Sequence, residues 1–205
     1  TPDQYPYNMR EFGLWLNEAG SLEFAATPVG AEENGRARQI SSEAGIVRAG
    51  QWYHVAVVID AVAESMAIYL NGERIAEGTF SASGVRDSPG FLRIGGIDDR
   101  DYFSGVVDEL QIWNRALSRR EVLLNMNRPL LGSEDGLVAY YTFDELDEGG
   151  FLPDQTEKGH KGLLHGDAHL VSVQVLMSPV AGAQVDTTAL EVLAQSAEPV
   201  GHRGF

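Results

Sequence analysis

Ser65-Met66-Ala67-Ile68-Tyr69-Leu70-Asn71-Gly72-Glu73-Arg74-Ile75-Ala76 decides how the chain is read. Two strand-like runs flank Asn71-Gly72, and both residues of that pair tolerate the positive φ of a type I′ turn. The segment therefore predicts a tight hairpin, from Ser65–Leu70 into 73–80. Upstream lies a strand over 51–60, its apolar residues concentrated from Val55 to Ile59. Farther upstream, 12–17 and 21–27 alternate Phe12, Leu14, Leu16 and Leu22, Phe24, Ala26, the period of half-buried strands. They join through Glu18-Ala19-Gly20, and 28–50 reads as a long loop around one weak strand at 36–42.

Downstream, 91–94 reads as a strand ended by Gly95-Gly96, and 105–114 as the last strong strand of this half. Ser118, followed three residues later by Glu121, makes a capping box for a short helix over 119–126, closed by Pro129. Every other strong element reads β, with no βαβ alternation. Many short strands with Gly-rich turns predict an all-β, antiparallel sandwich or jelly roll with one short helix after the last strong strand. A second unit begins near Gly136, with strands at 137–143, 162–165 and 168–176. The division expected is 1–128, then a partial β unit at 129–176, then an extension or linker at 177–205.

Composition narrows the function. With 15 Lys and Arg against 30 Asp and Glu, the 205 residues carry a net charge of −15. That balance argues against nucleic acid, whose phosphates need basic partners. No cysteine is present, which excludes disulfides, thiolate nucleophiles and cysteine-based metal sites. The longest apolar run, Val55 to Ile59, is far short of a bilayer span, so no membrane insertion is expected. The chain opens at Thr1 without an initiator Met and reads as a processed or excised piece.

Several spaced blocks carry a family resemblance. They are Gln51-Trp52-Tyr53-His54-Val55-Ala56-Val57, Ile68-Tyr69-Leu70-Asn71-Gly72, and Leu92-Arg93-Ile94-Gly95-Gly96. Phe103-Ser104-Gly105-Val106-Val107-Asp108-Glu109-Leu110-Gln111-Ile112-Trp113-Asn114-Arg115-Ala116-Leu117-Ser118 follows. Over about residues 10–128 the chain resembles the laminin G-like (LamG-like) jelly-roll domains of the concanavalin A-like superfamily, which include the pentraxins. Gly136-Leu137-Val138-Ala139-Tyr140-Tyr141-Thr142-Phe143-Asp144-Glu145, with Asp154 and Gly159-His160-Lys161-Gly162, resembles the opening of such a domain. Here that opening lies after the strands it normally precedes. Either a neighbouring segment or chain supplies the opening strands, or the C-terminal half returns to complete the sandwich; an incomplete one would expose strand edges.

By parity, 106–113 places Val106, Asp108, Leu110 and Ile112 on a core face and Val107, Glu109, Gln111 and Trp113 on the other. Asp108 near the strand entrance needs partners. Calcium suits a carboxylate there, since it takes oxygen ligands at about 2.3–2.6 Å, and the resemblance implies a structural calcium near the matching Asp. Capping a turn or pairing with an Arg is the alternative. Asp98, Asp99 and Asp101 form a second calcium candidate, against the alternative of a solvated hairpin tip, and Asp144 a third. Asp99, Arg100 and Tyr102 are the candidate glycan contacts. Trp52 and Trp113 read as core or helix-packing residues, whereas Trp15, Tyr5 and Tyr7 are open between ordinary packing, an interface and stacking on a sugar. No G-x-S-x-G, P-loop or H-E-x-x-H occurs, and the His160, His165, His169 spacing suits loops, so no enzyme is expected.

The resemblance implies a non-catalytic, calcium-stabilised recognition module, extracellular or at the cell surface, that binds carbohydrate or an extracellular protein. The alternatives are a structural or assembly domain of a repeat surface protein, and an accessory domain of a secreted hydrolase or protease.

Overall fold

The computed structural model describes residues 11–31, 37–87, 90–96 and 102–173, and the backbone of one further strand at 189–194. Two compact units emerge. The first comprises Thr1–Phe91 and Arg115–Pro129, the second Leu92–Asn114 and Leu130–Phe205.

The first unit pairs two antiparallel sheets, β1 (Phe12–Leu16), β2 (Leu22–Ala26) and β3 (Arg38–Ser41), and β4 (Val55–Asp60), β5 (Ser65–Leu70) and β6 (Glu73–Thr79). The β5–β6 turn has the predicted geometry, with φ of 50° at Asn71 and 78° at Gly72. Asn71 also ties the turn to the start of β4: its side chain accepts the His54 N–H at 2.9 Å. Leu22, Phe24, Ala26, Met66, Ile68 and Phe80 are buried between the sheets, with Ile40, Val55, Val57 and Ile59 packed against them. The next residues of the same strands serve another layer. Ala67 and Tyr69 of β5, with Ala56 and Val58 of β4, pack on Val122 of helix α1 (Arg119–Asn125). β5 is thus covered on both faces, which is why it reads as a nearly continuous apolar run. Gly78 is required by packing: a Cβ there would lie 2.6 Å from Ile40 Cγ2.

The capping box of α1 forms as read, with the Ser118 hydroxyl accepting the Glu121 N–H and the Glu121 carboxylate accepting the Ser118 N–H at 2.8 Å. Hydrogen bonds from the Ser118 side chain and backbone and from Arg115 hold the Glu121 carboxyl down at about 2.

In the second unit, β7 (Gly105–Val107) pairs with the backbone of β11 (Ala189–Ala194), which pairs with β10 (His169–Val173). β8 (Leu110–Trp113) pairs with β9 (Leu137–Tyr141). The segment resembling a domain opening therefore returns within this chain to flank the last strong strand. Ala139, Tyr141, Phe143 and Leu152 form one small core, and Leu130, Leu137 and Tyr140 another. A bulge between Ile112 and Trp113 shifts the β8–β9 register and lets β9 feed both cores. No helix among the described residues is long and apolar enough to cross a membrane.

Four local expectations are corrected. Residues 91–94 form no strand, and Phe91 is almost fully exposed. Residues 162–165 contribute one isolated bridge, Leu152 to Gly162. Trp52 precedes β4 and is exposed at 38% instead of entering a core. Trp113 packs on the Leu130, Leu137 and Tyr140 cluster instead of on α1.

Candidate functional site

The strand expected over 105–114 breaks at Asp108 and Glu109. Glu109 has φ of 53°, a left-handed conformation costly for a residue with a Cβ, and its N–H donates to Asp108 Oδ1 at 2.9 Å. The kink resets the alternation, so Val107 joins Leu110 and Ile112 against one core. This corrects the parity that grouped Val106 and Asp108 with Leu110 and Ile112. The Glu109 carboxylate accepts the hydroxyl of buried Tyr140 at 2.5 Å. Burial pushes the Glu109 carboxyl up, the Tyr140 hydrogen bond opposes that, and the negative charge of Asp144 adds to it. Burial and Glu109 push the Tyr140 hydroxyl far above its ordinary range.

Asp108, Glu109 and exposed Asp144 thus share one acidic neighbourhood around Tyr140. Among the described residues, no three carboxylate or imidazole side chains converge as metal ligands. Asp98, Asp99, Arg100 and Asp101 lie outside the described residues, as do Tyr5 and Tyr7. Tyr102 is 43% exposed, its ring laid against Gly96, where a Cβ would meet Cδ1 at 2.7 Å.

A second polar cluster is structural. The side chain of Asp154 is fully buried. Its oxygens accept the N–H groups of Tyr140, Thr156 and His160, each at 3.0 Å, and the Thr156 hydroxyl at 2.8 Å. Burial pushes this carboxyl up, yet the donors together hold it below its ordinary value. Lys158 Nζ donates to the Leu137 carbonyl at 2.6 Å, and the Tyr141 hydroxyl to the His160 carbonyl. Loop 152–162 is thereby fastened to β9.

The outer face of the β1-β2-β3 sheet presents a different arrangement. Leu14 pairs with core residue Phe24, so Trp15, paired with Glu23, points away from the core, as do Gly13, Ala25, Gln39 and Ser41. The indole lies along its own strand over Gly13, where a Cβ would sit 2.2 Å from Cη2 and 2.5 Å from Cζ2. Beside it, Glu23 Oε1 accepts the Asn17 side-chain amide at 2.7 Å and Oε2 accepts that of Gln39 at 3.2 Å. Asn17 is itself fixed, its side-chain oxygen accepting the Ala19 and Ser21 N–H groups at 3.0 Å. The result is a half-buried indole, laid flat on the sheet, beside a carboxylate held by two amides, with Ala25 of the same face buried. Sequence reading singled out Trp15 but missed Glu23 and Gln39, whose proximity depends on strand register.

These features sit on a fold with known counterparts. The chain is similar to a Bacteroides ovatus protein proposed to bind carbohydrate, with a TM-score of 0.56 and 23% identity. That match covers 77% of this chain and 48% of the other, so the chain spans about half the length of that protein. An S-layer domain-containing protein from Clostridium thermocellum matches at 26% identity over 51% of each chain, with a TM-score of only 0.30. A comparison with curated proteins gives no match. Residues 3–123, well over half the chain, match a laminin G family model described as the Concanavalin A-like lectin/glucanases superfamily. With jelly-roll-like antiparallel sheets and one short helix among its described residues, the chain is a lectin-like domain and belongs to that family.

Proposed function

We propose that the chain is a non-catalytic recognition module that binds carbohydrate outside the cell or at its surface, within a longer protein. The observation that carries this reading is the lectin-like fold combined with a sheet face that bears a half-buried aromatic ring beside a carboxylate and two amides. Sugars ask for that combination: an apolar surface for their C–H face and fixed polar groups for their hydroxyls. The Bacteroides ovatus relative supports the carbohydrate class. Screening the chain against an array of neutral and acidic glycans tests it, with saturable retention on a related subset as the expected result. A blank array at high protein concentration overturns it.

Calcium belongs to the same proposal. A net charge of −15 and the crowding of Glu109 by Asp144 both favour divalent cations. Calorimetry on the chelator-stripped chain should give a saturable calcium signal absent with magnesium, weakened by Asp108→Asn. A flat calcium titration removes calcium from the proposal and leaves carbohydrate binding standing.

One observation favours a second reading, an assembly domain of a surface protein. Phe12, Leu14 and Leu16 lie on the core face of edge strand β1, yet each is about two-fifths exposed. A concentration-dependent rise in mass, lost in Leu14→Ser, would support it.

A further inference from the structure

We infer that the free edge of β1 docks an extended, positively charged segment of a partner protein, which adds to the β1-β2-β3 sheet as a further strand. This deepens the assembly reading by naming the partner, and it is independent of carbohydrate binding. The phase of the ladder identifies the open groups. Asn17 N–H donates to the Ser21 carbonyl at 3.0 Å and Thr27 N–H to the Glu11 carbonyl at 2.9 Å, so residues 11, 13, 15 and 17 exchange their bonds with the β2 side. Phe12, Leu14 and Leu16 therefore turn their N–H and C=O groups the other way. β1 is the terminal strand of its sheet, and among the described residues no strand lies on that side. The side chains of the same three residues are 41%, 42% and 41% exposed. Backbone and side chains are thus open along one edge.

The strand itself leaves that edge unguarded. Phe12-Gly13-Leu14-Trp15-Leu16 holds no Lys, no Pro and no inward charge, the devices that normally blunt an edge. An entering strand places directly paired residues beside Phe12, Leu14 and Leu16, with side chains on the same face. Those positions must be apolar, and the alternate ones point outward. Charge selects the rest of the partner. The hairpin over 11–26 contains Glu11, Glu18 and Glu23 and no Lys or Arg, and the Glu23 carboxylate is met by two neutral amides. On a chain of net −15, Lys or Arg at the outward positions is attracted and Asp or Glu repelled. A second copy brings the same negative charge. Three side chains two-fifths exposed also fall far short of the ~800 Å² per partner of a stable complex. An added strand needs less apolar area, because its affinity comes from main-chain hydrogen bonds.

The test combines amide hydrogen exchange with titration of the full chain by a short capped peptide that alternates Ile or Val with Lys or Thr. In the free chain the amides of Phe12, Leu14 and Leu16 should exchange faster than those of Gly13 and Trp15, and the peptide should slow them. Protection of the three amides before any peptide is added means a filled edge and overturns the proposal. Replacing Lys by Glu in the peptide should weaken binding about tenfold, as should N-methylation of its apolar residues, which removes their donors. Leu14→Pro spares the bonds to β2, since the Leu14 N–H faces away from it, yet should weaken docking about tenfold. Leu14→Lys should do the same by placing a charge in the row, with thermal melting confirming that both variants fold. Equal affinity for the Glu peptide overturns the basic class of partner. Binding unmoved by N-methylation and by both Leu14 variants overturns the edge as its site. A rise in mass with concentration, lost in Leu14→Lys, gives the edge to a second copy and overturns this partner while the assembly reading stands. No peptide binding overturns the proposal, and a chain that also stays monomeric takes the assembly reading with it.

Discussion

The two units are held by different means. In the first, two sheets and a helix enclose apolar side chains in alternating rows, so that β5 is buried on both faces. In the second, the apolar clusters are smaller, and a buried carboxylate gathers backbone N–H groups from a strand and a loop. Rows of apolar residues tolerate small changes because the effect is non-directional. A buried polar clamp fails when one partner is lost, because the remaining donors are left unpaired.

The largest expected effect lies in the first unit. Phe24 is 2% exposed at the centre of the inter-sheet core. Phe24→Ala should cost about 3–5 kcal/mol in urea unfolding, and the loss should appear in resonances of the first unit. Leu170→Ala, which removes a half-buried residue at the edge of the smaller core, should cost less. Equal costs would break the contrast between the cores.

Next comes the clamp. Asp154→Ala leaves three backbone N–H groups and the Thr156 hydroxyl without their acceptor. A loss of about 3 kcal/mol is expected, with resonances of 137–162 affected first. Asp154→Asn sharpens the point, because it conserves shape yet turns an amide NH₂ toward other donors and should cost nearly as much. If Asn is tolerated, shape and not charge-assisted hydrogen bonding holds the loop.

What could be read from the sequence divides along the same line. The Asn71-Gly72 turn and the Ser118 to Glu121 capping box are local: residues within four positions carry both cause and effect. The Asp154 clamp joins residues up to 14 apart with no periodic signal. The break at Glu109 was hidden because its left-handed conformation belongs to a residue type that seldom adopts it. That single offset misplaced Val106 and Val107, and the following bulge contributed to misplacing Trp113. At the sheet face, Trp15 was visible, but Glu23 became its neighbour only through the register set by the Asn17 turn.

A smaller effect tests the local signals. Ser118→Ala removes the acceptor for the Glu121 N–H and should cost about 1 kcal/mol at neutral pH. Because Glu121 is held at about 2 against an ordinary 4.5, its contribution is present above pH 4.5. It fades as pH falls toward 2. Acid titration of Ser118→Ala beside the unaltered chain should therefore show the gap narrowing across that window.

The smallest effects carry opposite signs in the two units. In the first, burial lowers the His54 imidazole below 6.5, and its Nδ1 is buried without a partner. The unfolded chain then takes up the proton more readily, so stability is full above pH 6.5 and declines as pH falls below it. In the second, Glu109 is raised above 4.5, so the folded chain is the better proton acceptor there. Acidification toward 4.5 should therefore favour the second unit, until Asp154 begins to lose its bonds below 3.8. Glu109→Gln keeps an acceptor for the Tyr140 hydroxyl while removing the repulsion from Asp144, and should raise stability slightly at pH 7 but not at pH 4. Urea unfolding at pH 7.5 and 5.5, followed by resonances assigned to each unit, reads both trends. His54→Gln should abolish the decline in the first unit and leave the second unchanged. A parallel decline in both units, insensitive to either substitution, would mean that a shared charge effect outweighs the local burial of these two groups.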